Sequence, residues 1–112
     1  MRILVFESPV GAVVAQEYID DEAQGTFILT DLGHVVYCHV GVGEIFANAS
    51  LADFIDCTHA WERYRADVNG VVGEEAQMQI VKQLERSLAA GDALRENGFW
   101  SLILEQAESG HL

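Results

Sequence analysis

The sequence predicts an α+β fold, a mainly antiparallel sheet from the N-terminal half packed against helices from the C-terminal half. Three observations carry that expectation. As far as Phe46 the chain is rich in β-branched and aromatic residues broken by Gly-containing turns, whereas from Ser50 onward apolar residues recur at helical steps. Strand-rich and helix-rich parts are segregated rather than alternating, which disfavours βαβ units. With 112 residues, 50% of them hydrophobic, and no repeats or Pro/Gly/Ser linkers, residues 1–112 read as a single domain with one core.

Taken in order, Arg2 to Phe6 is a short β-like run ended by Glu7-Ser8-Pro9. Gly11 to Ile19 reads as a second strand, although its alanines leave a helix open for the same residues. Asp20 to Gly25 is expected to be a polar loop. Thr26–Thr30 and Val35–Val40 flank Asp31-Leu32-Gly33, a connection that favours a hairpin with Gly33 at positive φ. The chain then turns at Gly41 and Gly43 into Glu44-Ile45-Phe46, which extends the sheet.

A capped helix is expected to begin at Ser50, whose hydroxyl suits a free backbone N–H, with Asp53 in the capping-box position. Leu51, Phe54, Ile55, Thr58, Trp61 and Tyr64 form its apolar stripe, and Asn69-Gly70 breaks it. A second helix is expected from about Glu74 to Ala90, burying Ile80, Val81, Leu84 and Leu88, with Gly91 as its stop. A last helix runs from about Gly98 to Ser109, ended by Gly110, and carries Phe99, Trp100, Ile103 and Leu104. The aromatic residues on these stripes, and both Cys38 and Cys57, are assigned to the core.

The charge balance is strongly acidic: 18 Asp and Glu against 6 Lys and Arg, a formal net charge of −12. Such a chain is repelled by nucleic acid and by anionic membrane surfaces, since both are bound through cationic groups. A basic protein is attracted, and complementary fields accelerate encounter. No apolar run approaches the ~20 residues of a membrane-spanning helix. The start, Met1 to Glu7, lacks the longer apolar region and small-residue cleavage site of a secretory signal, so the chain is expected in the cytoplasm.

No constellation of catalytic residues stands out. His34 and Cys38 share one strand face while His39 points to the other, and Cys57 and His59 sit elsewhere, too dispersed for a four-ligand zinc site. Cys57 and His59 are two apart on a helix and do not face each other as nucleophile and base. There is no GxxxxGK[ST] or GxGxxG segment, and Gly41-Val42-Gly43 is a turn. The sequence therefore suggests no enzyme, metal or cofactor. The candidate partner-binding residues are acidic: Asp20, Asp21 and Glu22 in the expected loop, and Asp53, Asp56 and Glu62 on the first helix.

Two stretches bear a resemblance. Asp31-Leu32-Gly33-His34-Val35, then Asn48-Ala49-Ser50-Leu51 followed by Phe54, Trp61 and Tyr64, and finally Phe99-Trp100-Ser101-Leu102-Ile103-Leu104-Glu105 follow in one order. Over about residues 25–64 and 96–112 the chain resembles the SUKH superfamily of bacterial immunity proteins, most closely its fourth group. The resemblance implies an α+β domain that binds and neutralises a cognate toxin, often a nuclease or nucleic-acid deaminase. An enzyme of that kind commonly carries a basic cleft, which fits the acidic composition. A small adaptor or regulatory module, binding a cellular protein or itself through the sheet face or an edge strand, is the alternative.

Overall fold

The computed structural model describes residues 1–110; the last two residues of the 96–112 stretch lie outside them. Five strands, β1 (Arg2–Val10), β2 (Val13–Ile19), β3 (Glu22–Leu29), β4 (Val35–His39) and β5 (Gly43–Asn48), precede three helices, α1 (Leu51–Val68), α2 (Glu74–Ala90) and α3 (Phe99–Glu108). The strands form one antiparallel sheet in chain order, β1-β2-β3-β4-β5, with α1 and α3 packed against it and α2 packed on those two helices. The α+β architecture is therefore as expected, with a sheet that is wholly antiparallel.

Two local differences have physical causes, and one open reading is decided. The first strand passes through Glu7-Ser8-Pro9 to Val10 with irregular pairing between Val5 and Val10. Proline is tolerated there because β1 is an edge strand. Gly11 to Ile19 resolves as a hairpin turn and a strand, not a helix. The polar stretch Asp20 to Gly25 is a tight turn followed by strand: Ile19 pairs with Glu22, leaving Asp20 (φ 51) and Asp21 (φ 65) as a two-residue connection. Positive φ at both centres is the primed-turn geometry whose twist matches a hairpin, and aspartate tolerates it better than most residues.

The core lies between the sheet and the helices. Phe27 of β3 is fully buried, with ring centroids 4.8 Å from Phe54 of α1 and 5.0 Å from Phe99 of α3. Trp61 of α1 is buried too, and its indole N–H donates to the Met1 carbonyl at 3.0 Å, tying the helix to the start of the sheet. Ser50 caps α1 as expected, its Oγ accepting the Asp53 N–H at 3.1 Å. Of the expected α2 face, Val81, Leu84 and Leu88 are buried and Ile80 is partly exposed. Gly91 follows α2, but the left-handed residue is Asp92 (φ 52), one position later.

The segments that carried the resemblance hold the structure together. Asn48 is 1% exposed; its Oδ1 accepts the Trp100 indole N–H at 2.8 Å, and its Nδ2 donates to Cys57 Sγ at 3.4 Å. One buried amide thus joins the last strand, the first helix and the last helix. Cys57 is buried as expected, and burial, more than any neighbour, pushes its thiol pKa up. Cys38 is not core: it is half-exposed, paired in register with Thr26 and Glu44.

Candidate functional site

Chain-order antiparallel pairing places the β2–β3 and β4–β5 turns at the same end of the sheet. Asp20 and Asp21 form one tip, and Val40-Gly41-Val42 forms the other, with Val40 95% exposed. Glu22, the first residue of β3, and Glu44, the second of β5, are exposed as well. At this end, on the face that meets α3, lies a cavity of about 240 Å³.

Its polar wall includes Glu17, Gln24, Tyr37, His39 and Gln106; its apolar wall includes Ile45, Phe99, Leu102 and Ile103. Each position follows from the strand alternation. Ala15 and Glu17 share the inner face of β2, and Tyr37 and Ile45 pair across β4 and β5. Gly25 is buried on β3, two residues before Phe27, the register partner of Tyr37, and a Cβ there would collide with the Tyr37 ring, so glycine is what lets the phenol lie across β3. The phenol reaches Glu17, donating to Oε1 at 2.6 Å, and the Gly25 N–H donates to the same oxygen at 3.3 Å. Glu17 is only 4% exposed.

Tyr37 Oη–H is held strongly. Burial first, then the hydrogen bond to Glu17, then the Glu17 charge, raise its pKa far above the ordinary 10.0. His39 stacks on the Tyr37 ring (centroids 6.3 Å, 18° between planes), with Nδ1 2.8 Å from the Val40 carbonyl and Nε2 3.3 Å from Gln24 Oε1. A carboxylate, a phenol, an imidazole and an amide thus converge on one small space.

The phenol gives a pH prediction. The folded state holds the protonated form, so the folded pKa lies above the unfolded one; the stabilisation is complete below pH 10 and is lost as pH rises beyond it. Tyr64, raised by burial alone, acts in the same sense. Unfolding midpoints are expected to fall as pH rises from neutrality to about 11, and more steeply for the wild type than for Tyr37→Phe, which has no proton to lose there. Equal slopes for the two proteins would show that Tyr37 is not held by this environment.

The six acidic residues singled out from sequence do not form one cluster. Asp20, Asp21 and Glu22 are exposed at the sheet end just described. On α1, Asp56 and Glu62 are exposed and Asp53 is half-buried. Asp53 and Glu62 are about two and a half helical turns apart, on opposite flanks, and Glu62 pairs with Arg65 at 3.3 Å. The residues the sequence reading missed are Glu17, Gln24, Tyr37 and His39. One signal pointed to them: Glu17 is a charge in the apolar alternation Val13, Ala15, Glu17, Ile19.

Other surfaces hold less. An open depression of about 720 Å³ beside Val71, Gly73 and Glu74 has no buried polar group. Among the described residues, no group of three or more His, Cys, Asp or Glu converges as metal ligands, and no helix is long and apolar enough to cross a membrane. Comparison with family models, with curated proteins and with solved structures found no match for this chain.

Proposed function

We propose that the chain is a non-enzymatic binding domain for a basic protein, and that this partner is a bacterial toxin, a nuclease or nucleic-acid deaminase, which it neutralises by covering the toxin's substrate groove. The observation that carries the reading is the acidic end of the sheet. Asp20, Asp21, Glu22 and Glu44 stand exposed there beside the exposed apolar residues Val40 and Val42. An acidic field around an apolar contact suits a basic partner: the charges steer the encounter and the apolar residues are buried on docking.

Support comes also from how little of the charge is neutralised internally. Among the described residues there are two ion pairs, Glu62–Arg65 and Asp92–Arg95, each three residues apart on exposed surface. Pairs of that kind contribute little to stability, so the surplus of carboxylates is free to act outward. The toxin as partner rests on the resemblance to SUKH immunity proteins in the segments quoted above.

The test is capture of partners from a lysate of the source cell at low and moderate salt, with identification by mass spectrometry, followed by association kinetics on the purified pair. A basic, nuclease- or deaminase-like protein is expected, with its on-rate falling roughly tenfold or more between low and high ionic strength. A salt-insensitive on-rate would remove the acidic mechanism. Recovery of the chain alone would favour the adaptor reading, for which the edge strand β1, with Leu4 48% and Val10 74% exposed, is the specific observation.

A further inference from the structure

We infer that the cavity beneath the Asp20-Asp21 turn receives an alkylammonium group, presented by a lysine side chain of the basic partner. The inference rests on the protein-binding reading above and adds which chemical group docks, and where.

Glu17 is the reason. It is buried in the sheet, yet among the described residues no Lys or Arg pairs with it. Its Oε1 is used twice, by the Tyr37 hydroxyl and by the Gly25 N–H, while Oε2 accepts no hydrogen bond among the described residues. Thr30 Oγ1 is the one sealed side-chain nitrogen or oxygen without a partner among the described residues, so Glu17 Oε2 is open to the cavity, where water or an incoming cation reaches it. The side chain lines the cavity, so an incoming group can reach it from that space.

The rest of the cavity suits a cation on an aliphatic stem. The Tyr37 and Phe99 rings, with centroids 4.8 Å apart, both line the cavity and give it an aromatic wall. Ile45, Leu102 and Ile103 provide an apolar wall for methylenes. Outside, the Asp20-Asp21 turn continues directly from Ile19, another residue of the cavity wall, so a cation approaches through a negative field. Ammonium fits better than guanidinium because a single carboxylate oxygen remains free. The arginine fork matches two, whereas lysine is a compact point charge.

The probe is n-butylammonium chloride titrated into the 15N-labelled protein against sodium chloride at equal ionic strength, with n-butanol and n-butylguanidinium as comparisons. Saturable amide shifts are expected at Gly25, Phe99 and Leu102 with the ammonium, in the millimolar range set by so small a ligand, and weaker effects with the other two. Glu17→Gln keeps the shape and should weaken binding about tenfold or more. Leu102→Trp, at a position 38% exposed on the cavity wall, should block it whether or not the Glu17→Gln variant folds. Binding by n-butanol equal to that of the ammonium, tighter binding of the guanidinium, or unchanged ammonium binding in both variants would overturn the inference. So would salt-dependent capture of a basic partner that survives in both variants, leaving the binding-domain reading standing without the lysine pocket. Ammonium binding with no basic partner recovered would overturn the lysine source and mark the cavity as a site for a free small amine.

Discussion

Replacing Trp100 with alanine is expected to remove about 3–5 kcal/mol of stability, a large share of the roughly 5–15 kcal/mol that a domain has. Trp100 is fully buried, 5.0 Å from the Phe99 ring and 6.4 Å from that of Phe54 by centroid distance. Its loss opens a cavity where α3 meets the sheet and also strips Asn48 of a hydrogen bond made at 2.8 Å. The two contributions separate experimentally. Trp100→Phe keeps most of the ring but leaves Asn48 Oδ1 without its donor, and is expected to cost about 1–3 kcal/mol for the orphaned amide together with the lost volume. Urea unfolding should show a lower midpoint at unchanged slope for both variants. A Trp100→Phe variant as stable as the wild type would show that the Asn48 bridge contributes nothing to holding the last helix.

Gly25→Ala is expected to cost about 3–5 kcal/mol, far more than one methyl group normally does. The reason is not backbone conformation, since Gly25 is absent from the positive-φ positions. The new Cβ would strike Cε1, Cζ and Oη of Tyr37, and the ring must swing away. That movement breaks the 2.6 Å hydrogen bond to Glu17 and leaves a buried carboxylate with the Gly25 N–H as its remaining described donor. A double-mutant cycle tests the mechanism: combined with Tyr37→Ala, which removes the obstacle, the added methyl should cost little, giving a coupling of about 2 kcal/mol or more. Additive effects would mean that Gly25 is needed for another reason. Because the same ring walls the candidate cavity, a folded Gly25→Ala variant should also lose the ammonium response.

These two positions show where the chain is readable and where it is not. The α1 cap at Ser50, the extent of α2 and the stripe through Phe54, Trp61 and Tyr64 are legible, because helix ends and helix faces are written in residues three and four apart. The Asp20-Asp21 turn reads as part of a longer loop because it lacks the glycine that usually marks so tight a connection, and two aspartates supply the positive φ instead. In the sequence Trp100 reads as core and Asn48 as a motif residue with no stated task. Fifty-two positions apart, they meet as acceptor and donor.

Local pattern and simple counting were enough for the segregation of strands from helices, for most of the core and for the excess of negative charge. Which charges lie together was decided by the tertiary fold. Pairing in chain order brings two hairpin tips to one end of the sheet, and the register of β2, β3 and β4 turns Glu17, Gly25 and Tyr37 toward a single point. Strand alternation shows that Glu17 faces inward, but not what it meets there. Its neighbours come from strands 8 and 20 residues farther along the chain, and only folding puts them in contact.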